Sequence, residues 1–227
     1  MDDLAYRIRR SDRARRARIV VDADGVEVVV PKRMALRQVE PFVREKRPWI
    51  ERTLRRMEEA RGERPELRDG GWAPYLGERL ALVVRVEPGR TRPHVRRSGE
   101  SLHVFAGAPG EEAVRDALER WYRRRARAEV ASRLDAACAR AGTSYTRLSI
   151  RGQRTRWASC SQAGAMNFNH RLLLAPPEIL DYVVEHEVAH LEVLDHSARF
   201  WALVAARCPA YRERERWLRD HGPSLRL

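Results

Sequence analysis

Long apolar runs, cysteines and lysines are all scarce in this chain. None of its 227 residues belongs to a stretch of about 18 apolar residues, the length needed to span a bilayer, and arginine and aspartate interrupt the amino-terminal region. We therefore expect neither a membrane span nor a signal peptide, and we interpret the protein as cytoplasmic. The cysteines Cys138, Cys160 and Cys208 are odd in number and widely spaced, which argues against a disulfide framework.

Because Lys32 and Lys46 are the only lysines, nearly all of the positive charge behind the formal net charge of +13 is arginine. Basic surfaces bind phosphates by releasing counterions, so nucleic acid is a candidate partner. Arginine clusters occur at residues 7–18, 52–56, 96–97 and 120–127. The remaining arginines are spread along the chain, however, and codon composition alone produces such a bias.

The stretch His186-Glu187-Val188-Ala189-His190 carries the strongest chemical signal. Residues four apart in a helix lie on one face, about 6 Å apart along the axis, so both imidazoles can reach a single ion. Glu187 lies between them, where a carboxylate can deprotonate water at that ion. This is the established pattern of zinc metalloproteases, and it predicts a zinc site with Glu187 as general base.

The surroundings of this stretch favour a buried helix. Pro176 and Pro177 followed by Glu178 are typical of a helix start, since proline suits the first turn and an acid complements the helix dipole. Apolar residues then follow at Ile179, Leu180, Val183, Val184, Val188 and Leu191. Isolated charges are costly in such surroundings, and a dication resolves that cost for the imidazoles and Glu187 together.

A catalytic zinc ion usually has three protein ligands, and we rank His196 first as the third. A straight helix would carry residue 196 about 120° away from the face of His190, so the helix must end before it. Asp195 tolerates the left-handed conformation that ends helices, and Ser197 is a good N-cap for a following helix. The rival ligands are the acids Glu192, Asp195, Glu213 and Glu215.

Four segments together resemble the YgjP-like group of metal-dependent hydrolases, which is similar to the SprT-like zinc metallopeptidases. They are Thr155-Arg156-Trp157-Ala158-Ser159-Cys160-Ser161, Met166-Asn167-Phe168-Asn169, Asp181-Tyr182-Val183-Val184-Glu185-His186-Glu187 and His196-Ser197-Ala198-Arg199-Phe200-Trp201. The resemblance implies a zincin-like fold, with His186, His190 and His196 as zinc ligands and Glu187 as catalytic base. Ala158 stands where the family typically has glycine, so we expect backbone strain there.

The resemblance also implies that the strand before the active-site helix lies along the cleft and pairs with extended substrate. By position this strand is Met166 to Leu173, which we expect to be an exposed edge strand. Asn167 and Asn169 would alternate on one side of it and meet a substrate backbone, unless they are ordinary surface residues. His170 is a candidate for stabilising an oxyanion, and Arg156 for lining the cleft or binding a carboxylate.

The remaining pattern predicts an α+β protein with a sheet-rich amino-terminal subdomain at residues 1–108 and a zincin-like catalytic domain at 109–227. A β-hairpin is expected around 18–30 with its turn at 22–25, and helical pieces at 36–60, divided by Pro41 and Pro48. Residues 61–71 are expected to form a loop, and residues 75–105 are expected to form further strands. We expect a long helix at 111–141 that ends at Gly142. More strands are expected at 147–151 and 157–174.

We therefore expect a zinc metallopeptidase holding one Zn²⁺ ion per chain, with a peptide or protein substrate. Two alternatives stay open. One is a metal-dependent hydrolase of a non-peptide ester or phosphoanhydride, for which the arginines supply charge stabilisation. The other is a nucleic-acid-associated factor, either a SprT-like protease or a binding module whose zinc is structural.

Overall fold

The computed structural model describes residues 4–22, 25–59, 63–153 and 156–227, and it mixes helices with three small sheets. The chain forms two compact units. The first comprises Met1–Gly62 with Arg219–Arg226, and the second Glu63–Leu218 with Leu227. Of the helices in the described ranges, none is both long and apolar enough to cross a membrane.

The first unit is a three-stranded sheet covered by one helix. Strands β1 (Arg7–Ser11), β2 (Arg18–Asp22) and β3 (Gly25–Pro31) lie in the order β1-β3-β2, and helix α1 spans Val39–Glu59. Their shared core contains Val26, Val28, Val30, Val39, Val43 and Ile50. The antiparallel β2–β3 pair confirms the predicted hairpin, although residues 23 and 24 of its turn lie outside the described part.

Pro48 does not divide α1, so that expectation is wrong. Proline removes one backbone donor from a helix, but buried Val43 and Ile50 anchor α1 to the sheet on either side of it. Pro41 lies in the first turn, where the missing N–H has no helical partner to lose. Tertiary packing therefore overrides the local breaking signal.

The second unit begins with a four-stranded sheet in the order β4-β5-β7-β6, packed against a long helix. Its strands are β4 (Trp72–Tyr75), β5 (Glu78–Val86), β6 (His94–Ser98) and β7 (Ser101–Ala106), and the helix α2 spans Glu111–Ala141. Alternate residues of β7 are buried, namely Leu102, Val104 and Ala106. The predicted apolar stripe of α2 is buried along its length, and Gly142 ends the helix with φ 64°.

By its contacts, the β4–β7 sheet belongs with α2 and not with residues 1–62, because α2 packs on β6 and β7. The structural division therefore falls near residue 62, whereas the division at residues 108 and 109 stays a prediction. The loop expected at 61–71 is irregular over its described part, apart from an isolated bridge between Glu66 and Trp72.

A second small sheet and three helices complete the unit. Strands β8 (Arg147–Arg151), β9 (Ala158–Cys160) and β10 (Ala165–Asn169) precede helices α3 (Pro177–Ala189), α4 (Ala198–Arg207) and α5 (Tyr211–His221). Short 3-10 turns lie at Leu36–Gln38, His170–Leu174 and Gly222–Ser224. Helix α3 starts after Pro176, as predicted.

A polar cluster joins β4, α2 and α3. The Tyr75 hydroxyl donates to Glu129 Oε1 over 2.8 Å, and Arg133 Nη1 donates to Glu129 Oε2 over 2.7 Å. The Arg133 Nε also donates to Asp181 Oδ1 on α3 over 2.8 Å. Burial raises the pKa of Glu129, but the hydrogen bonds from Arg133 and Tyr75 outweigh it and leave the pKa below its usual value.

Because the folded-state pKa of Glu129 is depressed, its ionised form stabilises the fold above pH 4.5 and this contribution is lost as the pH falls further. We expect Glu129→Gln to lower the free energy of unfolding by about 1–3 kcal/mol at pH 7. The difference from wild type should shrink in acid. Urea unfolding at pH 7 and near pH 3.5 measures both effects.

Glu119→Gln is the matched control, since Glu119 pairs with Arg123 on the surface of the same helix. An exposed pair of this kind contributes at most about 1 kcal/mol. Equal losses for the two variants would show that the Glu129 cluster has no special importance.

Candidate metal centre

Helix α3 brings the two histidines of its last turns together with one from the following loop. The Nε2 atoms of His186 and His196 are 3.2 Å apart. One ring nitrogen from each of His186, His190 and His196 lies within 4.8 Å of the other two. Ligands of a tetrahedral zinc ion at about 2.0–2.1 Å are roughly 3.3 Å from each other, so this spacing suits zinc after small rotations of the rings.

The loop between α3 and α4 returns His196 to the face of the helix, but not by the predicted conformation. Asp195 is among the described residues and does not take the left-handed conformation. Instead, its carboxylate accepts the backbone N–H of Ser197 over 3.0 Å. Ser197 is the N-cap residue of α4, as expected, although its side chain makes no capping hydrogen bond.

His190 is held in one orientation by the same loop. Its Nδ1 lies 3.0 Å from the carbonyl oxygen of Val193, a pure acceptor, so Nδ1 carries the proton and Nε2 keeps its lone pair. The imidazole is 8% exposed and stacks on Phe200 of α4, with ring centroids 4.4 Å apart. Such an outer partner fixes the tautomer that a metal ligand requires.

Glu187 is a buried acid, 5% exposed, beside these rings. Its carboxylate accepts the backbone N–H of Cys160 on β9, whereas Oε2 has no hydrogen-bond partner among the described residues. Burial raises the pKa of Glu187 to about 8, and the bond from Cys160 opposes this only in part. One oxygen is thus held while the other is available to a proton.

Burial disfavours the charged forms of His186 and His190. Burial, together with the charges of His190 and His196, lowers the pKa of His186 to about 4. Burial also lowers the pKa of His190. The Nδ1 of His186 is buried with no hydrogen-bond partner among the described residues. Three convergent imidazoles, an orphaned carboxylate oxygen and an orphaned ring nitrogen fit a divalent cation, which needs deprotonated ligands.

The rival acids lie outside the described cluster of three histidines. Glu192 forms an ion pair with Arg207, and Asp195 is hydrogen-bonded to Ser197. Among the candidates, His196 alone is brought to the other two imidazoles. Its role as a ligand stays a prediction.

The expectation that Met166 to Leu173 forms an edge strand is wrong. The sheet order is β8-β10-β9, so β10 is central, and residues 170–174 form a 3-10 turn. The edge strand next to α3 is β9 (Ala158–Cys160), which pairs antiparallel with β10 and contacts α3. Ala158 does not have the left-handed φ that favours glycine, so the strain expected there is absent among the described residues.

Two of the four proposed substrate residues are buried within the fold. Asn169 is 3% exposed, and its amide donates to the carbonyl oxygens of Gln153 and Arg156 over 2.7 and 3.2 Å. His170 is also 3% exposed, with Nδ1 3.0 Å from the Arg151 carbonyl oxygen. These side chains bind the main chain at residues 151, 153 and 156.

The other two proposed substrate residues, Asn167 and Arg156, are more accessible to solvent. Asn167 is half-buried, and its amide donates to the Ser159 hydroxyl over 3.4 Å across the β9–β10 pair. The side chain of Arg156 is exposed just before β9. Neither belongs to the histidine cluster, and their substrate role stays a prediction.

Sequence reasoning missed the backbone of Cys160. A main-chain N–H leaves no signature in the residue type, so the pattern could not identify it as the partner of Glu187. The aromatic neighbours were visible in the sequence as Phe200 and Trp201, four and five residues after His196. Phe200 contacts all three imidazole rings, with centroids 4.4 to 4.9 Å apart.

The chain matches one family model, described as YgjP-like, metallopeptidase domain, over residues 15–221. A similar solved structure is the crystal structure of the metallopeptidase zymogen of Pyrococcus abyssi abylysin. It is 25% identical over 38% of this chain and 90% of that chain, with a TM-score of 0.34. No curated protein matches the chain.

If the three imidazoles share one ion, added zinc will raise the midpoint of thermal unfolding, because a ligand that binds only the folded state stabilises it. His196→Ala should lower zinc affinity by at least about 100-fold, more than the loss of an outer partner typically causes. Competition with a chelator measures the affinity. His103→Ala on β7, outside the cluster, is the control. Unchanged affinity in His196→Ala would assign the third ligand elsewhere.

Proposed function

The chain belongs to the YgjP-like metallopeptidase family, and on that premise we propose that it is a zinc-dependent peptidase whose active site is built on α3. The observation that carries the proposal is the meeting of three imidazoles beside a buried carboxylate. We assign His186, His190 and His196 as the ligands of one zinc ion per chain and Glu187 as the general base.

Each protein group has a separate task. When bound, zinc supplies Lewis acidity, which acidifies water and polarises a substrate carbonyl. Glu187 receives the proton of the attacking water at Oε2, the oxygen that has no other partner among the described residues. The same carboxyl then returns the proton to the leaving amine.

The hydrogen bond from the Cys160 N–H holds the Glu187 carboxylate in one orientation. Proton transfer therefore needs no reorganisation of this side chain. The same hydrogen bond also places β9 directly beside the catalytic carboxylate.

The free edge of β9 suits an extended peptide. The backbone N–H of Asn169 bonds to the Trp157 carbonyl, and that of Ser161 bonds to the Ala165 carbonyl. In an antiparallel pair these bonds alternate, so the main-chain groups of Ala158 and Cys160 point away from β10. The Cys160 N–H bonds to Glu187, which supports our assignment of that outer edge to the substrate.

A peptide paired with the outward groups of Ala158 would therefore pass beside Glu187, because strand addition supplies regular main-chain hydrogen bonds. The outward main-chain groups of the β9 edge favour a peptide as the substrate over the ester and phosphoanhydride alternatives. Those substrates, and nucleic acid as a partner, stay predictions from the sequence.

Glu187→Gln tests the assignment of the base. The amide keeps the size of the side chain but accepts no proton, so we expect peptide hydrolysis to fall by at least about 100-fold. Zinc content should remain at one ion per chain, because Glu187 is not a ligand. Cleavage of a peptide library by the zinc-loaded protein, with metal analysis of the same samples, measures both quantities.

Glu178→Gln is the control for the base, since Glu178 is exposed in the first turn of the same helix. It should cleave as the wild type does. A zinc-loaded Glu187→Gln variant with wild-type activity would remove Glu187 from the mechanism.

Ala158→Pro tests the edge of β9. Proline removes an outward N–H, which edge strands tolerate, so we expect KM for peptides to rise by about 5- to 10-fold, the effect of one hydrogen bond. The zinc affinity should be unchanged. Steady-state kinetics on a cleaved peptide give the result.

Ser159→Pro is the matched comparison, because the Ser159 N–H points inward to β10. It should instead destabilise the fold by about 3 kcal/mol. An unchanged KM in a folded Ala158→Pro protein would exclude strand addition at this edge.

A further inference from the structure

Backbone hydrogen bonds shape the first half of the loop that carries His196, since the N–H groups of Leu191, Glu192 and Val193 bond to the carbonyl oxygens of Val188 and Ala189. Residues 191–197 include neither glycine nor proline, and within this described segment no residue is left-handed. The loop must nevertheless reverse direction between α3 and α4 so that His196 lies against His186. Side-chain contacts therefore add to these backbone bonds in defining the path of the loop.

Two of these contacts are local. The Val193 carbonyl oxygen accepts His190 Nδ1, and the Asp195 carboxylate accepts the Ser197 N–H. Each joins residues only two or three positions apart, so both bonds can move with the loop as a unit. They tie the turn to the adjoining ends of α3 and α4, but to no residue farther along the chain.

A third contact attaches the loop to a helix. The Glu192 carboxylate forms an ion pair with the guanidinium of Arg207, fifteen residues along the chain and the last residue of α4. The Arg207 side chain is 18% exposed and its Nη1 is buried, so the guanidinium is enclosed and cannot swing freely into solvent. A partly shielded charge pair of this kind is screened less than a surface pair.

Helix α4 is the right element to anchor against. Its Phe200 stacks on His190 and meets the His196 ring edge-on, with centroids 4.8 Å apart. Fixing the loop to α4 therefore fixes it relative to the surface on which both imidazoles rest. Without the ion pair, the Glu192 side chain loses its attachment to α4, and the only bonds left to Glu192 in the described structure are those of the turn after α3.

We propose that Arg207 is a positioning residue of the metal centre. Through Glu192 it holds the 191–197 loop so that His190 keeps its Val193 partner and His196 faces His186. The proposal rests on the proposed zinc site and assigns the geometry of that site to a residue that touches neither metal nor substrate.

Zinc affinity of the full-length protein, measured at pH 7 by competition with a chelator, tests the proposal without any substrate. We expect Arg207→Met and Glu192→Ala each to lower the affinity by about 10- to 100-fold, the usual effect of losing an outer partner. The double variant should lie within about 3-fold of the single variants, because both remove the same interaction. Arg207→Lys keeps the charge and should recover part of the loss.

A cobalt-loaded sample adds a readout that general destabilisation does not move. A four-coordinate site gives an intense visible band, and loss of the His196 ligand should weaken it in both single variants. Glu192 is about one-third exposed, so Glu192→Ala leaves a solvated surface and provides the test even if Arg207→Met does not fold.

Two controls separate positioning from stability. Arg123→Met breaks the exposed pair with Glu119 and should bind zinc within about 2-fold of wild type. Leu134→Ala removes a fully buried side chain of α2, which destabilises the fold by about 2–5 kcal/mol, yet it should keep the wild-type cobalt spectrum.

Wild-type zinc affinity in both single variants would overturn the positioning role alone. Losses that multiply in the double variant would also overturn it, and so would an equal loss of affinity in Leu134→Ala. Failure of the wild-type protein to take up zinc would overturn the metal centre and the positioning role together.

Discussion

The site depends on one electrostatic constraint, namely that Glu187, His186 and His190 lie in surroundings poor in water, with the exposed His196 beside them. Desolvation disfavours every charged form there, which is why the pKa of Glu187 rises to about 8 and that of His186 falls to about 4. Such groups are an energetic liability in a core that contains no cation. A dication reverses the balance, because it favours the ionised carboxylate and binds neutral imidazoles. In the proposed site, we therefore expect folding and metal binding to be coupled through these side chains.

The parts of the fold that depend on local pattern could be predicted from the sequence. Helix α2 was predicted because its apolar side chains recur at helical spacing and Gly142 supplies a left-handed end. Helix α3 was predicted because proline and acid precede a dense apolar run. The histidine cluster followed from the spacing of His186 and His190 and from a break in the helix before His196. Each of these signals lies within a few residues along the chain.

The predictions that failed concern neighbours that are distant along the chain. Strand β10 has the length and composition of an edge strand, but its place between β8 and β9 depends on a parallel pairing with residues 147–151. No periodicity records that pairing. In the same way, nothing in the residue type Asn169 reveals that its amide is occupied by carbonyl oxygens near residues 153 and 156. The bond from the Cys160 backbone to Glu187 is hidden for the stronger reason that every residue but proline has the same donor.

Helix α3 carries its ion-paired acids and its imidazoles on different faces. Asp181 and Glu185 are four residues apart and bind Arg133 and Arg140 of α2 over 2.8 and 2.6 Å. His186 and His190 have the same spacing but lie about 140° further around the helix. Ion pairs along one side therefore fix the height and rotation of α3, while the other side presents its imidazoles to the aromatic rings of α4. Because a rotation of α3 would move both faces at once, attachment to α2 also sets the direction in which His186 and His190 point.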